Sequence, residues 1–150
     1  MTHQELKDGI KEAMKARDAV RLSVLRGLSA AATNEVVSKG RKPDEILNDD
    51  ELLTVVMRAA KQRKDSIEQF TQGGRADLAE GEKAELAVLE TLLPAQMSRD
   101  EVLQAVKTKA AEMGISDKAA ANKLMGALMK DLKGKADGNV VKEVVSTVFP

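Results

Sequence analysis

The sequence predicts an all-α protein, and three observations carry the prediction. Apolar residues recur at helical spacing along nearly all of the 150 residues. The two internal prolines, Pro43 and Pro94, fall between helix-patterned stretches and never inside one. Aromatic residues make up 1% of the chain, two Phe with no Trp or Tyr, and strands favour the aromatic residues that are missing.

Leu6, Ile10, Ala13 and Met14 form the first helical stripe, and His3 ahead of them belongs to a frayed terminus. Val20, Val24, Leu25, Leu28, Ala31, Ala32 and Val36 form the second, which ends in a turn at Lys39 to Pro43. The third helix starts near Asn48, Asp49 or Asp50, all good N-caps. It carries Leu52, Leu53, Val56, Ala60, Ile67 and Phe70 and ends at Gly73 and Gly74. The fourth holds Leu78, Leu86, Leu89, Leu92 and Leu93 and stops at Pro94. Glu82 stands where an apolar residue would complete that stripe, so a kink or a polar contact is expected around Gly81.

The pattern restarts after Pro94. Ser98 and Glu101, three apart, make a capping box for a fifth helix carrying Val102, Val106, Ala110 and Met113, closed by Gly114. Ser116 or Asp117 caps a sixth with Leu124, Met125, Leu128, Met129 and Leu132, closed by Gly134. Val140, Val141, Val144, Val145 and Val148 end the chain's pattern. Valine favours strands, but steps of one, three, one and three fit a helical face and break strict alternation.

Seven helices result, divided near Pro94 to Ser98. Residues 1–95 are expected to form an N-terminal helical domain of about four helices. Residues 96–150 are expected to form a C-terminal three-helix bundle. Residues 1–97 carry 15 basic against 17 acidic side chains, net −2, whereas residues 98–150 carry nine against seven, net +2.

Composition excludes much chemistry. Basic and acidic residues balance at 24 each, so no global basic field recruits nucleic acid. Without cysteine there is no disulfide, thiolate metal site or cysteine nucleophile. One histidine nearly excludes structural zinc and a Ser-His-Asp triad. No catalytic constellation, metal site or cofactor is expected. The N-terminus lacks the apolar core of a secretory signal, and no run approaches the roughly 20 apolar residues of a membrane span. A soluble, cytoplasmic chain without membrane partners is the expectation.

Three segments could carry function. Arg58, Lys61, Arg63 and Lys64 place four basic residues in seven. Lys61–Asp65 and Lys64–Glu68 are i,i+4 pairs, so the run reads as a solvated helix face; the alternative is a partner-binding edge. Lys130, Lys133, Gly134, Lys135, Asp137 and Gly138 form a lysine-rich turn before a helix start, either a phosphate site or an ordinary glycine turn. It lacks the order of a Walker A loop. The acids Asp77, Glu80, Glu82, Glu85 and Glu90 read as a solvated face, although Glu82 and Glu85 could share a side.

Several segments together resemble the YqeY proteins: Lys61–Glu68 (KQRKDSIE), Gly74–Leu78 (GRADL), Glu82–Leu86 (EKAEL), Leu92–Gln96 (LLPAQ), Lys123–Met129 (KLMGALM), Lys133–Gly138 (KGKADG) and Arg21–Arg26 (RLSVLR). Asn122 and Lys130 differ from the family pattern, where glycine and proline are usual. The resemblance spans essentially the whole chain. It implies an N-terminal helical domain followed by a three-helix domain similar to the C-terminal tail of GatB, a subunit of the glutamine-dependent tRNA amidotransferase. The family label, carbon–nitrogen ligase with glutamine as amido donor, finds no nucleophile or ATP loop among these residues. The leading reading is therefore a non-catalytic accessory module for tRNA. Lys123, Lys130, Lys133 and Lys135 would contact phosphates, with Gly134 and Gly138 shaping the turn and Arg58, Lys61, Arg63 and Lys64 a secondary patch. The alternative is a protein adaptor for an amidotransferase or a synthetase; an intrinsic ligase ranks last.

Overall fold

Most helices in this chain begin where the sequence supplies a side-chain acceptor for the otherwise unpaired first N–H groups. In the computed structural model, which describes residues 1–150, Thr2 and Glu5 form a capping box at the start of α1 (His3–Lys15). Asp18 caps α2 (Ala19–Ser38). Asn48, one of three expected starting residues, caps α3 (Asp49–Gln72) in a box with Glu51. α4 (Ala76–Thr91) starts without a side-chain cap. Ser98 caps α5 (Arg99–Met113): Glu101 N–H donates to Ser98 Oγ at 3.2 Å, and Ser98 N–H donates to Glu101 Oε2 at 2.6 Å. Gly114 closes α5 with φ +66°, a left-handed conformation that glycine adopts without steric cost.

Asp117 caps a 3₁₀ turn (Lys118–Ala120) that leads into α6 (Ala121–Asp131). The valine run is helical: α7 spans Gly138–Val148 and buries Val141, Val144 and Val145 on one face. Burial of that face outweighs valine's modest strand preference. The chain is all-α, without strands.

The chain divides into two compact units, Met1–Leu93 and Pro94–Pro150, each with its own core. The first holds α1 to α4. Its core includes Leu6, Leu25, Leu28, Val36, Leu52, Val55, Val56 and Leu89. The second holds α5 to α7, packed through Val102, Val106, Leu124, Leu128, Val141, Val144 and Val145.

The details correct several sequence expectations. Met14, Val20, Leu78, Met113 and Met129 lie in the helical stripes yet are at least 38% exposed. All five sit in a first or last helical turn, where fewer neighbours are available to cover a side chain. Leu47 shows the converse: it is buried outside any helix, where periodicity gives no signal.

His3 is not frayed. It is buried in the first turn of α1, and its Nδ1 accepts the Leu47 N–H at 3.1 Å across 44 residues. That bond ties the loop before α3 to the start of α1. Burial, reinforced by the Lys7 charge, pushes the imidazole below its ordinary pKa.

Candidate functional site

The lysine-rich turn is built by the end of α6, the start of α7 and the segment before α5. Leu132 is the last cap of α6, and its carbonyl accepts the N–H groups of Lys135 at 2.9 Å and Ala136 at 3.2 Å. The chain reverses at Gly134 with φ +77°. Gln96 Nε2 donates to the Gly134 carbonyl at 2.7 Å and to the Pro94 carbonyl at 2.8 Å. Met97 N–H donates to the Lys135 carbonyl at 2.8 Å. The turn's backbone is thus held by the strap from Pro94 to Met97.

Its six sequence-predicted residues divide by role. Lys123, Lys130 and Lys135 are exposed, and Lys133 is half-buried. Gly134 is buried and shapes the reversal. Gly138 gives room to a side chain: a Cβ there would lie 3.1 Å from Met129 Cε. Both glycines therefore serve the fold of the turn. Asp137 accepts the Asn139 N–H at 2.8 Å, so a carboxylate already occupies the start of α7. The aspartate's charge offsets part of the positive end of that helix.

Charge at the turn is shaped by Asp131, the last residue of α6. Asp131 Oδ2 lies 2.8 Å from Lys109 Nζ of α5. That hydrogen bond, with the attraction between the charges, pushes the Asp131 carboxyl below and the Lys109 ammonium above its ordinary pKa. Lys130 and Lys135 add to the lowering at Asp131. The only acid on α6 is therefore engaged by α5.

The secondary basic run does not form one patch. Arg58 pairs with Glu35 of α2 at 3.0 Å. Arg63 Nη1 reaches both Glu82 oxygens, at 3.1 and 2.9 Å, and Glu85 Oε2 at 2.8 Å. Arg58 and Arg63 thus pair with neighbouring helices, and the Lys61 and Lys64 side chains are exposed. The same contacts correct the reading of the acidic stretch: Glu82 and Glu85 are half-buried ion-pair partners on a shared face of α4. The broken stripe at Glu82 is resolved by a polar contact in a continuous α4. Sequence spacing shows that two acids share a side, but not which cation meets them from another helix.

No group of three or more His, Cys, Asp or Glu side chains gathers as a metal site. No helix is long and apolar enough to cross a membrane.

Comparison with known proteins gives this geometry a setting. The family model described as Yqey-like protein matches residues 3–149. Similar curated proteins carry the name Altered inheritance of mitochondria protein 41, mitochondrial. The one from Kluyveromyces lactis is 41% identical over 101 residues, covering 65% of this chain and 52% of that protein. That from Pyrenophora tritici-repentis is 31% identical over 148 residues, covering 95% and 78%. That from Saccharomyces cerevisiae strain YJM789 is 32% identical over 123 residues, covering 75% and 64%. The matched region spans about half the length of the relatives from K. lactis and Lachancea thermotolerans, 52% and 46%. Their mitochondrial names overturn the cytoplasmic expectation. A missing secretory core does not separate cytosol from mitochondrion, because mitochondrial leaders are amphipathic, not apolar. Since the family model covers the chain almost from end to end, and a relative aligns over 95% of it, this protein belongs to the Yqey-like family.

Proposed function

We propose that the protein is a non-catalytic accessory module that holds structured RNA, tRNA first, through the lysine turn of its second unit. In this reading α5 to α7 are the three-helix bundle similar to the GatB tail. The supporting observation is the Asp131–Lys109 pair at 2.8 Å. It engages the acid of α6 on α5, while Lys123, Lys130 and Lys135 stand exposed. Lysines reach phosphates as flexible point charges and do not need a rigid platform. The two Phe residues, Phe70 and Phe149, lie half-buried, which disfavours base stacking and favours backbone contact.

The test is a titration of labelled tRNA at several salt concentrations, wild type beside Lys130→Glu/Lys135→Glu. These two lysines are exposed, so the helical fold should survive. Wild-type affinity should fall steeply with salt, and the double variant should bind more weakly with a slope lower by roughly one for each lost phosphate contact. Equal binding by both proteins at every salt would remove the turn from the interface.

One observation favours the adaptor alternative. The first unit has an open groove of about 490 Å³, walled by Val24, Gly27, Leu28 and Ala31 of α2 and by Ala59 and Arg63 of α3. A partner helix could lie there. Binding to an amidotransferase or synthetase that survives RNase, with no tRNA binding by the isolated protein, would favour that reading.

A further inference from the structure

We propose that α6 lies directly against the sugar–phosphate backbone of the RNA, with Gly126 as the point of closest approach and Lys123 and Lys130 gripping phosphates on either side. This rests on the RNA-binding reading above and adds a contact surface that the lysine turn alone does not supply.

Gly126 sits inside α6, where glycine costs up to about 1 kcal/mol relative to alanine. The fold gives no reason for that cost. Its φ is not positive, and a Cβ placed on it would meet nothing within 4 Å. This differs from Gly138, whose missing side chain makes room for Met129, and from Gly134, which makes the reversal. The absent side chain at Gly126 leaves an open notch on the outer face of α6.

The flanking residues identify its chemistry. Residues three and four away on a helix share its face, and for Gly126 these are Asn122, Lys123, Met129 and Lys130. All four are exposed, and none is acidic. The Met129 methyl group lies back against Gly138, so it does not cover the glycine. Lys123 and Lys130 are two turns apart, about 10 Å along the axis. Their arrangement is two cations with an open notch between them, which suits an anionic strand crossing the helix. Glycine permits close approach of a backbone to a ligand.

Two other helix-interior glycines, Gly27 and Gly81, also have open space at the Cβ position. Their same-face neighbours are Ser23, Val24, Ala30 and Ala31 for Gly27, and Asp77, Leu78, Ala84 and Glu85 for Gly81. Neither is flanked by cations. The combination of open notch and paired lysines distinguishes Gly126.

The experiment compares wild type, Gly126→Ala, Gly126→Leu and Lys135→Glu by fluorescence anisotropy with labelled tRNA, alongside thermal melting. Gly126→Leu should melt at a higher temperature than wild type yet bind at least tenfold more weakly. Gly126→Ala should give a smaller loss in the same direction. Higher stability with lower affinity is an outcome that damage to the fold cannot produce. If Gly126→Leu lowers the helix content, Gly126→Gln takes its place, with the same expected loss. Wild-type affinity in the leucine variant, beside a weakened lysine variant, overturns the α6 contact and leaves the turn reading in place. A wild-type protein that binds no tRNA overturns both.

Discussion

The Arg63 guanidinium lies 2.9 Å from the Glu82 carboxylate, linking α3 to α4 across 19 residues of sequence. Glu85 joins the same guanidinium at 2.8 Å. The pairing explains why an acid can interrupt the apolar stripe of α4 without breaking the helix. Glu82→Ala should cost about 1–2 kcal/mol, because it removes a charge-assisted hydrogen bond at a half-buried position. Urea denaturation measures this, and a midpoint unchanged from wild type would show that Glu85 alone satisfies Arg63.

The Ser98 cap makes a second prediction. Its hydroxyl accepts the Glu101 N–H at 3.2 Å at the start of α5. Ser98→Ala should destabilise the second unit by about 1 kcal/mol, while Ser98→Asp should retain most of the stability. Chemical denaturation of the whole chain, followed through hydrogen exchange of α5 amides, separates this unit from the first. Equal α5 protection in Ser98→Ala and wild type would refute the cap's contribution.

His3 predicts a pH response. Its folded-state pKa lies below the ordinary 6.5, with burial the main cause. The unfolded chain therefore takes up a proton more readily, so the stability associated with neutral His3 is present above pH 6.5 and is lost as pH falls through the lower folded-state value. Protonation at Nδ1 also removes the acceptor for the buried Leu47 N–H. Because the chain has a single histidine, a His3→Gln variant should flatten stability between about pH 7.5 and 5.5. Identical pH profiles for the two proteins would rule out the coupling.

Asp131 can be used to tune the proposed RNA edge. Asp131→Asn removes one negative charge beside Lys130 and Lys135 and releases Lys109. Binding to tRNA should strengthen severalfold at low salt, with a steeper salt dependence. Anisotropy titrations across salt concentrations provide the readout. A loss of affinity would mean that the Lys109–Asp131 pair positions the turn.

Two glycines of the first unit should respond in opposite ways. Gly27 has nothing within 4 Å of a Cβ position, so Gly27→Ala should stabilise the fold by about 0.5–1 kcal/mol. Gly9 has Leu25 Cδ1 at 3.1 Å, and Leu25 is itself buried, so Gly9→Ala must displace a core side chain and should destabilise. Parallel melting curves test the contrast, and a gain from Gly9→Ala would show that Leu25 can move freely.

What the sequence determined by itself was local. Capping depends on residues two or three apart, so Ser98 with Glu101 was legible before any fold was known, and Asn48 was among the expected starts. The spacing of Val102, Val106 and Ala110, or of Val141, Val144 and Val145, shows a buried face because one helix repeats every 3.6 residues. The lysines of the turn were legible as charge, and the glycines as a break. Tertiary structure decided which side chains meet across helices. Arg63 found Glu82, Lys109 found Asp131, and His3 found Leu47 at separations of 19, 22 and 44 residues. It also decided that Gly134 and Gly138 shape the turn while Gly126 faces open space. No periodicity encodes those partnerships. They arise when packing of the apolar faces brings distant polar groups within reach, and burial then makes leaving them unpaired costly.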